Sequence, residues 1–362
     1  MASKISGRYE EVLPTSAHKK AKKIHIELRV DVDGKRPMNV LSGDIYSNSG
    51  KTRKYRSSFI FERVKKIQRQ NEVFLLGESG KFDSESENLR RFRVRIPINS
   101  YPLVAEVSWI DNSGSESRFW CRYRSEYFRR VHLQNDHEEG VIPLNSYDRS
   151  NPSSPTRNHP RPMTIADAYA EAGIEIIVVR NATKPVPHPK QIPERGSVWT
   201  DSALDEVMTQ RFDIQKAQTQ WRLWLFSAFE YEIPEVKGIM FIHEGHRRGC
   251  AVFHRAIGGE SDDEKRMLLY VYVHELGHCF NLQHPWVKTE KTCPAGDEGY
   301  SSLSWMSCPQ RYYSSLNSYG ETAFWKDFRL RFDDSELIHL RHGFRNDVVF
   351  GGNASRKDKT DL

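Results

Sequence analysis

The stretch His274-Glu275-Leu276-Gly277-His278-Cys279-Phe280-Asn281-Leu282-Gln283-His284 organises the rest of the chain. On a helix, positions four apart lie one turn above each other, so His274 and His278 can face one metal ion together. Glu275 stands one step round, placed to address a metal-bound water without ligating the metal itself. His284 comes six residues after His278, off that face unless the helix stops and the chain turns back. Asn281 stands where that break is needed, and Asn tolerates the left-handed conformation of a helix C-cap. Three neutral ligands and one open position define a catalytic zinc site rather than a closed structural one. The alternative is a surface helix that happens to carry His and Glu; the third histidine, at a spacing that requires a helix break, argues against it.

Outward from this stretch, the helix has a readable start. Ser261 followed by Glu264 is a capping box, with Asp262 and Asp263 favourable at the positive end. Leu268, Leu269, Tyr272, Leu276 and Phe280 recur at helical spacing and form its core face. Downstream, Ser304-Trp305-Met306-Ser307-Cys308-Pro309 is a tight polar turn carrying a methionine.

These two motifs together resemble the metzincin clan of zinc metallopeptidases, with Asn281 at the position of the family's glycine and Met306 as its Met-turn. The resemblance covers residues 163–345, and its specific motifs lie in 274–309. It implies a zinc-dependent endopeptidase holding one Zn2+ on His274, His278 and His284, with Glu275 as general base for a metal-activated water and Met306 as a packed floor. It also implies a twisted mixed sheet carrying the active-site helix and a C-terminal helix, here opening at Asp333-Asp334-Ser335-Glu336 and closed by Gly343. By the same analogy Gly249–Ile257 is the edge strand along which a peptide lies, so Gly249, Ala251 and Phe253 are substrate-binding candidates. Arg311 and Tyr312, just after the Met-turn, are expected to wall a specificity pocket, with Arg311 favouring an acidic residue. The family's tyrosine two residues after the methionine is replaced by Cys308, so that role is not carried over.

The amino-terminal part draws nothing from the resemblance. From Ile24 to Tyr123, short alternating apolar segments separated by turn clusters such as Asp33-Gly34 predict a β-sandwich or barrel. The fold class is therefore α+β: an all-β sandwich-like domain, then the catalytic domain. The expected boundaries are a flexible basic arm at 1–20, the β-domain at 21–145, and a Pro-rich linker at 146–162. The zinc domain follows at 163–350 and a charged tail at 351–362. Thr164–Ala172 reads as a helix ended by Gly173, Ile174–Val179 as a fully buried strand, and Trp199–Phe212 as containing a second helix.

Composition narrows the partners. The net charge is +6, and residues 1–150 hold 28 Lys/Arg against 20 Asp/Glu. Lys51–Gln70 carries much of that excess with Phe59 and Phe61 between the charges, either a polyanion-binding face or a solvated strand face, the latter preferred. The expected partner is a peptide or protein substrate, with possible docking of another protein on the β-domain, no nucleic acid and no membrane span. No apolar segment approaches the ~20 residues a span requires. Residues 1–23 lack the apolar core of a secretory signal, which predicts a cytoplasmic protein, non-classical secretion being the alternative. Five cysteines form no framework, and Cys293 and Cys308 could bracket one loop. His243 with His246, His254, and His339 with His342 lack a third ligand at a telling interval and are read as surface or packing residues. Two rival functions stay open: a zinc amidohydrolase acting on non-protein substrates, and a non-catalytic binding protein acting through the basic β-domain.

Overall fold

The computed structural model describes residues 4–12, 24–49, 52–78, 80–83, 89–99, 102–111, 114–148, 162–179, 184–189, 197–213, 221–242, 247–288, 299–313 and 319–348. The chain divides into two compact units. One comprises 1–129 with 337–345, the other 130–336 with 346–362.

The first unit is built on a ten-stranded sheet. Its strands are β1 (Gly7–Glu11), β2 (Ile24–Asp31), β3 (Val40–Ser49), β4 (Thr52–Phe61), β5 (Lys65–Arg69), β6 (Glu72–Glu78), β7 (Lys81–Phe82), β8 (Leu89–Pro97), β9 (Val104–Asp111) and β10 (Glu116–Ser125). They lie in the order β5-β6-β8-β9-β10-β1-β2-β3-β4-β7, and their pairings are antiparallel. Strands far apart in that order nevertheless touch. Phe59 and Phe61 on β4 lie 4.9 and 5.1 Å from Phe92 on β8, ring centre to ring centre. The sheet must therefore curl until its two ends face each other across one core, which makes the expected sandwich-like packing out of a single sheet. Gly77 makes room for this: a Cβ there would lie 2.7 Å from the Phe61 ring. Alternation explains the rest, since Phe92, Val94 and Ile96 are buried while Arg91, Arg93 and Arg95 between them are exposed.

The outer face of β2 and β3 is polar yet buried. Arg29, fully enclosed, donates to both Asp44 carboxylate oxygens at 2.7 and 3.0 Å and to Ser42 Oγ at 2.9 Å. Residues 337–345 close the network: Ser42 Oγ meets His342 Nδ1 at 2.9 Å, and Arg341 Nη1 and His342 Nε2 each reach Asp31 Oδ2 at 3.0 Å.

The second unit carries a five-stranded sheet of β11 (Arg129–His137), β12 (Ile174–Val179), β13 (Arg222–Ala228), β14 (Gly238–Met240) and β15 (Gly249–Phe253). The order is β12-β11-β13-β15-β14. β11, β13 and β15 run parallel, and β14 pairs antiparallel with β15 at the edge. Among the described residues seven helices accompany the strands: α1 (Ile165–Glu171), α2 (Asp201–Arg211), α3 (Asp262–Cys279), α4 (Pro285–Lys288), α5 (Gly320–Asp327), α6 (Asp334–His342) and α7 (Arg345–Val348). The unit boundary falls inside α6, after Glu336. Mixed α+β architecture is thus as expected from the pattern.

Several boundaries differ from expectation. The arm is not wholly loose, because Gly7–Glu11 is inserted between β10 and β2; residues 13–23 lie outside the described residues. The units part at Arg129/Arg130, not at 146–162, and β11 pairs with β13 in the second sheet. Of the proposed linker, 149–161 lies outside the described residues, while Tyr147 and Met163 exchange two backbone hydrogen bonds of 2.8 Å. β12 is only partly buried, because it is an edge strand. The tail at 351–362 also lies outside the described residues, as does position 293, one end of the loop that Cys293 and Cys308 could bracket. Cys121, Cys250, Cys279 and Cys308 are buried.

Candidate metal centre

The helix that presents the site starts as the sequence requires. Ser261 caps α3, its side chain accepting from Glu264 N while Glu264 returns a bond to the Ser261 N–H. Eighteen residues later the helix stops at a Schellman motif. Asn281 adopts φ 62°, its N–H donates to His278 O at 2.7 Å, and the Leu282 N–H donates to Gly277 O at 3.0 Å. That break turns the chain back and delivers His284 to the helix face it had left.

The three imidazoles converge. Nε2 of His274 lies 3.0 Å from Nε2 of His278 and 3.1 Å from Nε2 of His284, and the last two are 3.1 Å apart. The Nδ1 atoms settle the tautomers. His274 Nδ1 faces the Trp305 carbonyl at 2.8 Å and His278 Nδ1 the Leu282 carbonyl at 2.9 Å. A carbonyl only accepts, so both Nδ1 atoms carry the proton and both Nε2 atoms present lone pairs to the same point. Lone pairs directed together at that distance fit a shared cation. Among the described residues this is the one group of three or more His, Cys, Asp or Glu arranged to hold a metal ion.

Burial tunes the groups. His274 is fully enclosed, and burial, followed by the neighbouring His278 and His284, holds its imidazole well below the usual range. Burial pushes the Glu275 carboxyl up to about 8; a dication nearby would favour the ionised form again. Glu275 packs against β14, where a Cβ on Gly238 would lie 2.7 Å from its Cγ and 2.8 Å from Oε1.

Met306 is buried beneath the helix turn that carries two of the histidines. A Cβ on Gly277 would stand 2.3 Å from Met306 Sδ, so glycine there is what lets the sulfur approach. The turn is held from several sides. Tyr270 OH donates to Ser307 O at 2.6 Å, Met306 N donates to Ser304 Oγ at 3.1 Å, and Ser304 Oγ donates to Glu336 at the start of α6. Trp286 stacks on His284 with ring centres 4.3 Å apart and planes 8° apart, and on its other side meets Tyr300 at 5.1 Å. Sequence reasoning missed Trp286; its spacing of two from His284 is the only signal present.

The substrate candidates need correction. Gly249, Ala251 and Phe253 lie on β15, which is buried and paired on both sides, so its backbone is already used. The edge strand is β14. Phe253 N donates to Lys237 O and Phe241 N to Gly249 O, so by antiparallel alternation the N–H and C=O groups of Gly238 and Met240 point away from β15. Among the described residues no strand pairs with that side. Tyr312 is buried, with its ring 5.6 Å from that of Phe324. Arg311 is exposed and donates to Tyr300 OH at 3.3 Å.

Two of the remaining histidines, His254 and His342, are engaged in hydrogen bonds away from the site. His254 Nε2 meets Tyr272 OH at 2.9 Å, and His342 belongs to the first unit's polar network; 243–246 lies outside the described residues. In the basic stretch, Phe59 and Phe61 belong to the core, so they offer no stacking surface between the exposed cations. No helix among the described residues is long and apolar enough to cross a membrane.

No protein-family model matches this chain, and no curated protein matches it.

Proposed function

We propose that this chain is a metzincin-like zinc metalloendopeptidase, and the convergence of the three Nε2 atoms within 3.1 Å carries the proposal. An all-imidazole set of three suits zinc and leaves coordination open for chemistry. A zinc ion held there supplies a Lewis acid that acidifies water and polarises a carbonyl. The chain's own residues do the rest. His274 and His278 are locked in the ligating tautomer by the Trp305 and Leu282 carbonyls. Glu275, shielded from solvent, takes the proton of the attacking water and gives it to the leaving amine. Gly238 and Met240 receive an extended peptide by backbone pairing beside Glu275, which favours a peptide over a compact non-protein amide.

The test is metal content by mass spectrometry with a peptide-library digest, on wild type and Glu275→Gln. Expected are about one zinc per chain in both proteins, cleavage of several unrelated peptides by wild type, and turnover by the variant reduced at least ~100-fold. Zinc-free wild type after reconstitution would end the proposal. Zinc without peptide cleavage, but with activity on small amides, would replace the peptidase by an amidohydrolase.

A further inference from the structure

Where the resemblance leads one to expect glycine, this chain places a side chain with two polar ends, and both ends are engaged. Asn281 Oδ1 accepts from Arg247 Nη2 at 3.2 Å, and Asn281 Nδ2 donates to the Asp347 carbonyl at 2.7 Å. The three residues come from separate parts of the second unit: the connection from β14 to β15, the turn between the second and third histidines, and α7. A glycine satisfies the same φ of 62° at less steric cost. Asn is therefore not explained by backbone conformation alone; the carboxamide is what glycine lacks.

We propose that Asn281 is a positioning residue, a strap that ties the ligand turn to Arg247 on one side and to the carboxy-terminal segment on the other, and so governs how tightly His284 is held on the metal. Other contacts hold the two ends of the turn, and Trp286 stacks on the His284 ring. Its Schellman bonds fix the helix end and the His278 Nδ1 bond to Leu282 O fixes the second ligand, while the Asn281 carboxamide ties the start of the turn to Arg247 and Asp347. Without the strap, the turn loses its ties to Arg247 and Asp347, and His284, left to the Trp286 stack, is held less firmly on the metal. Outer partners of this kind typically contribute 10–100-fold to metal affinity.

This inference rests on the metal reading above, and the experiment separates the two. Wild type, Asn281→Gly and Arg247→Met are loaded with Co2+, whose visible spectrum reports coordination, and release into excess chelator is timed. Asn281→Gly keeps the left-handed backbone and loses both bonds; Arg247→Met leaves the Asn281 backbone and the Asp347 bond alone and loses one. Expected is release about tenfold faster for Asn281→Gly and a smaller acceleration for Arg247→Met. The cobalt spectrum of the glycine variant should shift towards weaker imidazole ligation. Wild type that takes up no cobalt overturns the metal reading and the strap with it. Cobalt bound by all three proteins, with equal spectra and equal release rates, overturns the strap alone. Faster release with an unchanged spectrum and an equal loss of thermal stability in the metal-free proteins marks a general loosening and also overturns it.

Discussion

Gly277 shows how one absent side chain sets the site. A Cβ at that position falls 2.3 Å from Met306 Sδ, well inside contact distance, so alanine must displace either the methionine or the helix turn between His274 and His278. Alanine gains up to about 1 kcal/mol of helix propensity over glycine, while overpacking a closed interior costs about 1–3 kcal/mol. The clash should win. Gly277→Ala is expected to lower the urea midpoint and to weaken zinc retention, and Met306→Ala in the same chain should recover part of both, because it empties the space the new methyl needs. Equal midpoints for wild type and Gly277→Ala would contradict the packing described. At this scale the sequence was most informative. His274, Glu275, His278 and His284 are legible because they stand at short fixed intervals, where helix geometry and one helix break decide which side chains converge. Asn281 as the helix stop is legible for the same reason. The bonds from its side chain to Arg247 and Asp347 were not, because they join residues 34 and 66 positions away.

Elements are legible when their pattern is local. The capping box of α3, the glycine after α1 and the alternation of β8 all depend on near neighbours, and each stands where the sequence places it. Order within a sheet depends on distant partners. β15 reads as the last strand before the site helix, which makes it the expected edge, yet the short β14, earlier in the chain, folds back antiparallel outside it. β11 carries the same alternation as the strands before it, and only its parallel pairing with β13, some ninety residues on, assigns it to the other sheet. The corrected edge makes its own prediction. Met240 directs its N–H away from β15, so proline there removes a donor that the sheet does not use. Met240→Pro should retain zinc and most of its thermal stability and lose about tenfold in kcat/KM on peptides. A loss confined to folding, with normal kcat/KM in the folded fraction, would mean that substrate does not pair with β14.

At the scale of the molecule, the first unit is assembled from two stretches separated by some two hundred residues, 1–129 and 337–345. Sequence reading assigns the second stretch to the metal domain, since a helix after a Met-turn fits that pattern and nothing local marks His342 as buried against β2 and β3. Its environment gives the unit a pH dependence. Burial comes first and drives the His342 imidazole down to about 4; Asp31 opposes this, and Arg29 and Arg341 add to it. The neutral ring satisfies every partner: Nε2–H donates to Asp31, and Nδ1 accepts from Ser42, whose Oγ accepts from Arg29. In the unfolded chain a histidine takes its proton near pH 6.5. As pH falls from about 6.5 to about 4, the unfolded state therefore binds a proton that the folded state refuses, and stability is lost across that window by up to about 3 kcal/mol. Above pH 6.5 the term is fully present, and below pH 4 it no longer changes. His342→Gln cannot titrate. Urea denaturation of metal-free protein at pH 7, 5.5 and 4.5 should show wild type losing stability more steeply than the variant, and subtracting the two curves removes the titration of the site histidines. Parallel curves would show that His342 is protonated in the folded unit, with Asp31 outweighing burial.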